Sequence, residues 1–152
     1  MIYLNNKDKI FLGVVILGIF LIFAQKMFFT EDAKKVDNQK IIINNIELMV
    51  EVVDDEMARY QGLSGREKFE RNEGMLFVHD ELKKHRYVMR EMKFDLDFIF
   101  IKDDEIVDIA KNVSKDFEGT VQGATEYNKI LEVLAGWVEK NGVELGDRIN
   151  YE

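Results

Sequence analysis

Asp95 and Asp97 are the carboxylates whose spacing could do chemistry. In an extended chain successive side chains alternate, so residues two apart share a face. Two carboxylates on one face can share a proton or hold a cation. The plainer alternative leaves Asp95 in solvent and has Asp97 cap a turn or pair with an arginine, for which Arg59, Arg66 and Arg90 are the candidates. Asp97 opens the run Phe98-Ile99-Phe100. A carboxylate buried there needs a partner.

The other chemistry-bearing residues are sparse. His79 and His85 stand six apart in a charged stretch. That spacing matches neither one helix face nor a zinc motif, so they read as solvated surface histidines. Ser64 and Ser114 are the only serines, and Gly62-Leu63-Ser64-Gly65 lacks the second spacer of a nucleophile elbow. No glycine-rich phosphate loop follows a strand. The chain has no cysteine, which removes disulfides, thiolate metal sites, a cysteine nucleophile and a lipid-carrying cysteine anchor. The acidic runs Asp54-Asp55-Glu56 and Asp103-Asp104-Glu105 are explained by a helix start and a hairpin turn, and neither offers the oxygen ligands that calcium requires. No catalytic residue, metal site or cofactor is assigned.

These residues must be positioned by a chain of 152 residues, long enough for one domain. Hydrophobic residues make up 47% and charged residues 33%, which suits a folded globule. The net charge of −8 comes without clustered lysines and arginines, so a nucleic-acid partner is not expected. There is no proline, so turns must be made by Gly, Asn and Asp.

The elements read as follows. Ile41–Ile43 and Ile46–Val53 flank Asn44-Asn45, a tight hairpin. Asp54 or Asp55 caps a short helix, Glu56–Gln61, ended by Gly62. Ser64–Glu73 is a charged loop. Gly74–Val78 and Arg86–Met89 are short strands. Leu96–Lys102 and Glu105–Ala110 form a second hairpin about Asp103-Asp104. After a loop over Asn112–Thr125 come a strand over Tyr127–Leu134, a helix over Ala135–Asn141 and a last strand over Arg148–Tyr151. Short strands, turn signals and two brief helices predict a mainly β domain with α+β features at its margins: an antiparallel sandwich or partly open barrel over residues 40–152.

Ahead of it, Ile10–Ala24 carries no charged or polar side chain. A helix over Ile10–Phe29 would be about 30 Å long, the thickness of a bilayer core. Twelve Ile, Leu, Val and Phe residues between Ile10 and Phe23 favour insertion by about 5 kcal/mol. A buried soluble helix would not be apolar on every face. A cleaved signal peptide fits the short basic start, but large Ile22 sits two positions before Ala24, where such a site wants a small residue. The expectation is a tail over 1–9, a transmembrane signal anchor over 10–29 and a polar linker over 30–39. Lys7 and Lys9 on one side and Lys26, Lys34 and Lys35 on the other do not decide orientation. The short tail and long following domain suggest an extracytoplasmic domain.

Several blocks together resemble the DUF192 family, also called UPF0127. They are Arg59-x-x-Gly62-Leu63-Ser64-Gly65-Arg66, Glu73-Gly74-Met75-Leu76-Phe77-Val78, Tyr87-Val88-Met89-Arg90, Leu96-Asp97-Phe98-Ile99-Phe100-Ile101, Leu131-Glu132-x-x-Ala135-Gly136-Trp137 and Gly146-Asp147-Arg148. The resemblance runs from Ile46 to Ile149. The chain departs from the family at Val88, where Trp is usual, at Glu91 and Met92, where Asn and Thr are usual, and at Phe117–Ala124, which replaces a proline-rich loop. The resemblance implies a single, mainly β domain, often behind a signal peptide or anchor, with no established activity. It makes Arg66, Met89, Arg90, Asp97, Glu132 and Asp147 the binding-pocket candidates, and leaves Gly62, Gly74, Gly136 and Gly146 to backbone geometry.

The expected function is therefore a non-enzymatic binding or accessory module of the cell envelope, held to the bilayer by residues 10–29. Its partner would be a protein, a small molecule or a glycan. One alternative is an enzyme acting on envelope glycans through Asp95, Asp97 and Glu132. A scaffold or assembly role is another.

Overall fold

The computed structural model describes residues 37–152. The anchor expected over 10–29 and residues 30–36 of the linker lie outside the described residues. The last residues assigned to the linker are strand: β1 is Asp37–Ile43, hydrogen-bonded along its whole length to β2, Ile46–Val53. Asn44 and Asn45 join them with φ of 52° and 65°, the left-handed pair that a tight hairpin demands.

After β2 comes α1, Glu56–Gln61, whose Ala58 N–H donates to Asp55 Oδ1 at 2.8 Å. Then follow β3 (Glu73–Lys83), β4 (Leu96–Lys102), β5 (Glu105–Val113), β6 (Tyr127–Leu134), α2 (Trp137–Asn141) and β7 (Ile149–Tyr151). β3 takes Glu73 from the expected loop and runs well past Val78, β5 runs past Ala110, and α2 starts two residues later than expected. Arg86–Met89 is not a strand. Only Tyr87 pairs, with Val121, through two backbone hydrogen bonds of 2.8 and 2.9 Å.

The strands make one seven-stranded sheet in the order β5-β4-β6-β3-β2-β1-β7, not a sandwich. Nor is it wholly antiparallel. β2 and β3 run parallel, because residues 54–72, carrying α1, cross over from the end of one strand to the start of the other. The sheet curls into a half-barrel whose edges meet at one end. There Glu105 bridges Arg148, Ile106 N–H donates to Asp147 O at 2.9 Å, and Ile149 N–H donates to Asp104 O at 2.9 Å.

Alternation along the central strands builds two cores. In β4, Ile99 and Ile101 join Leu76, Leu131, Val133, Val138 and Ile149 on one face. Leu96, Phe98 and Phe100 join Met75, Phe77, Tyr127 and Ile130 on the other. Strands covered on both faces read as unbroken apolar runs, which is why Leu96-Asp97-Phe98-Ile99-Phe100-Ile101 has no polar alternation. α2 buries Trp137 and Val138 in the first core, while α1 sets Ala58 against the second.

Candidate functional site

The one polar residue in β4 is structural. Asp97 is fully buried. Its Oδ1 accepts from Asn112 N–H at 2.7 Å and its Oδ2 from Val138 N–H at 3.0 Å. It thereby holds the end of β5, where Asn112 has φ of 53°, and caps α2, whose own N-cap is the side-chain-less Gly136. None of the three candidate arginines is its partner. Arg66 pairs with Glu51 at 2.5 Å, Arg59 Nη1 donates to the carbonyls of Val78 (2.9 Å) and Asp54, and Arg90 Nη2 donates to Tyr60 O at 2.8 Å. Asp95 lies before the strand and accepts from Lys115 N–H at 2.7 Å. Asp147 accepts from Asn44 Nδ2 at 2.6 Å and Glu144 N–H at 2.8 Å, so it fastens a turn.

Strand register separates the remaining carboxylates. In β6, Val133 stands opposite Asp97 and Glu132 opposite Phe98. Directly opposed residues share a face. Asp97 therefore points to the first core and Glu132 to the second. Asp97 and Glu132 therefore share no cleft, and Asp95 does not line the cavity of Glu132, so neither aspartate forms an acid–base pair with Glu132.

Glu132 has its own site. It sits at the floor of a cavity of about 320 Å³ on the second face of the sheet. Leu96, Phe98 and Phe77 wall the floor, Met89 and Tyr87 close one side, and Arg59, Tyr60 and Ser64 from α1 and the turn after it line another. Glu132 is 6% exposed, and among the described residues no group hydrogen-bonds or ion-pairs with its carboxyl. Burial without a counter-ion disfavours the carboxylate and pushes its pKa up to about 8. At neutral pH it is a carboxylic acid.

Both histidines line this cavity and are not solvated surface residues. His79 continues the alternation Met75, Phe77, His79 on β3 and is half-buried. His85, after the strand, folds back over it, with ring centroids 3.5 Å apart. His79 Nε2 is hydrogen-bonded to the Tyr87 hydroxyl at 2.6 Å, and His85 Nε2 donates to Glu81 O at 3.0 Å. Burial, then the charges of His85, Arg59 and Lys83, bring His79 down to about 4. Burial lowers His85 as well, and raises the Tyr87 phenol well above its usual range. The stack is thus neutral at pH 7. Arg90 lies over the Tyr60 ring at 4.2 Å from its centroid, making part of the mouth.

Of the sequence candidates, the fold gathers Met89, Arg90 and Glu132 at one cavity and places Arg66, Asp97 and Asp147 elsewhere. Sequence reasoning missed His79, His85, Tyr87 and Arg59. The signal for His79 was its phase with Met75 and Phe77. Nothing local to His85 announces that the chain returns over the strand.

The family model for DUF192, described as an uncharacterized ACR, matches residues 39–151. The chain belongs to the DUF192 family. No curated protein matches it. Among solved structures, this DUF192 chain is similar to a Sinorhizobium meliloti 1021 protein described as a candidate transcription regulator, with 28% identity and a TM-score of 0.73 over 76% of this chain and 95% of that one. It is also similar to a protein of unknown function from Novosphingobium aromaticivorans DSM 12444, with 21% identity and a TM-score of 0.71 over 79% of this chain and 89% of that one. The latter speaks to the DUF192 fold alone.

Proposed function

We propose that this protein is a non-enzymatic binding module, tethered to the membrane by residues 10–29 with its domain on the extracytoplasmic side, that takes a small ligand in the Glu132 cavity. The observation that carries the binding reading is an almost fully buried carboxyl with no partner among the described residues, aimed into a walled cavity. Such a group raises the free energy of the empty protein until something hydrogen-bonds it. Binding is favoured over turnover because, among the described residues, neither histidine hydrogen-bonds the hydroxyl of Ser64, the one serine lining the cavity, and no second carboxylate hydrogen-bonds Glu132. The tether rests on the length and apolarity of Ile10–Phe29, and the outward orientation on the short tail before it. A DNA-binding role, suggested by the description of the Sinorhizobium protein, is opposed by the net charge of −8.

Two measurements test this. The full chain should pellet with membranes, resist alkaline extraction, and lose its domain to protease added outside intact cells. Recovery in the soluble fraction, or protection from that protease, would overturn the tether or its orientation. A screen of small molecules and glycans against the full chain should yield ligands whose contacts map to Tyr87, Met89 and Glu132. Ligands that map only to other surfaces would remove the cavity from the account.

A further inference from the structure

The binding reading leaves the ligand's chemistry open, and the surroundings of Glu132 narrow it. We propose that the inner end of the ligand is an amide or carboxylic acid group that pairs edge to edge with the buried Glu132 carboxyl at the floor of the cavity. This rests on the cavity being a binding site.

Glu132 is 94% buried and projects between Phe98 of β4 and Met75 of β3, with which it is in register. β4 brings only apolar side chains to this face, Leu96 and Phe98. β3 brings His79, whose ring is occupied by Tyr87 and His85. α1 brings Arg59, whose guanidinium is fixed on the carbonyls of Val78 and Asp54, and Glu56 at the outer edge. The segment after β3 brings Tyr87, together with His85, Arg86 and Arg90. None of these cations forms an ion pair with Glu132, and burial is the whole cause of its raised pKa. A neutral carboxylic acid carries one donor and one acceptor side by side. The group that satisfies both at once has the same pair reversed, which is the edge of a primary amide or another carboxylic acid. The flat, apolar walls of Phe77, Phe98 and Tyr87 suit a planar body behind that edge.

The sign of the charge at the mouth agrees. Arg59, Arg86 and Arg90 line the cavity against one other acid, Glu56. An ammonium ligand would have to pass the three guanidiniums and then meet an uncharged floor. A neutral ligand, or one with an anionic outer end, meets neither obstacle.

The test uses the full chain in lipid nanodiscs, with benzamide and benzylamine as probes, read by saturation-transfer NMR against empty nanodiscs. Benzamide should bind at pH 6.5, and its affinity should fall at least tenfold by pH 9.5. Among the buried groups facing the cavity, Glu132 is the one that ionises over that window; Tyr60, also on the lining, is exposed. Both histidines titrate below that window, and Tyr87 above it. Glu132→Gln keeps a donor and an acceptor in the same place, so it should hold benzamide within about threefold of the wild type and remove the pH dependence. Glu132→Ala should weaken binding at least tenfold, with an unchanged near-ultraviolet Trp137 signal confirming the fold. If benzylamine binds and benzamide does not, or if Glu132→Gln abolishes binding, the site wants an ionised carboxylate: the ligand class falls and the binding module stands. If neither probe binds the wild type, both readings fall.

Discussion

Glu132 and His79 are pushed in opposite directions by the same burial, and their linkage to folding has opposite signs. Glu132 rises from 4.5 to about 8. Between those values the folded state holds a proton that the unfolded state releases, so this carboxyl's contribution to stability falls as pH rises from about 4.5 to about 8, by about 1.4 kcal/mol per unit at most. His79 falls from 6.5 to about 4. Between those values the unfolded state holds the extra proton, so stability rises with pH. The two slopes oppose each other up to about pH 6.5, and only the Glu132 slope remains from there to about pH 8. Urea denaturation of residues 37–152 should show stability dropping over pH 6.5–8, and Glu132→Gln should flatten that drop. A wild-type profile flat across pH 6.5–8 would mean that Glu132 is not buried as described. Glu91 supplies a second test, at a turn of the backbone. It has φ of 56° and its carbonyl accepts from Gly65 N–H at 3.1 Å. Asn tolerates the left-handed region better than Glu. Glu91→Asn should raise stability by about 0.5–1 kcal/mol, seen as a higher urea midpoint at constant slope. A lowered midpoint would count against strain at this turn. At this scale the sequence was partly legible. That Asp97, at the head of an apolar strand, needs a partner follows from burial alone. That the partners are two backbone N–H groups on β5 and α2 depends on which segments the fold brings there, and no local pattern states it.

Elements were more legible than their pairing. Asn44-Asn45 and Asp103-Asp104 mark hairpins because positive φ is tolerated by few residue types, and the structure has both turns there, with Asp103 at φ of 59°. Tyr127–Leu134 is strand over the whole expected range. The parallel pairing of β2 with β3 was hidden, since a six-residue helix followed by a charged stretch reads as a surface excursion and not as a crossover. Gly74 shows what that pairing demands. It lies opposite Val50 in the parallel ladder, and a Cβ there would stand 2.8 Å from Leu131 Cδ1 and 3.0 Å from both Leu48 Cδ2 and Val50 Cγ1. Those tips belong to the strands on either side and are packed in the first core. Gly74→Ala should therefore destabilise by about 1–3 kcal/mol, through overpacking and not through loss of φ freedom. A companion Leu131→Ala change should recover part of the loss if the clash is the cause. Full additivity of the two in a denaturation cycle would contradict it.

For the molecule as a whole, the sheet divides labour between its faces. The face inside the curl holds the first core and α2. The opposite face holds α1, the segment after β3, and the cavity. The curl itself depends on β7, three residues long, which pairs with β1 on one side and meets β5 on the other. Ile149 is the hinge of that arrangement: it is 2% exposed, stands opposite Ile43, packs in the first core and donates its N–H to Asp104 O. Ile149→Ala leaves the backbone bonds and removes the packing, so it should cost about 2–4 kcal/mol. The loss should also be local in hydrogen exchange. Amides at the seam, Ile106 and Ile149 itself, should lose protection before those of β4 and β6, which are hydrogen-bonded to neighbours on both sides. The cavity lies on the other face, against β3, β4 and β6, so a ligand held there should bind the Ile149→Ala protein about as well as the wild type under conditions where both are folded. Seam and site failing together would mean that the curl shapes the cavity and that the two faces are not independent. Intact binding beside frayed seam amides is the result expected from a sheet whose middle strands carry the site and whose edge strands only close it.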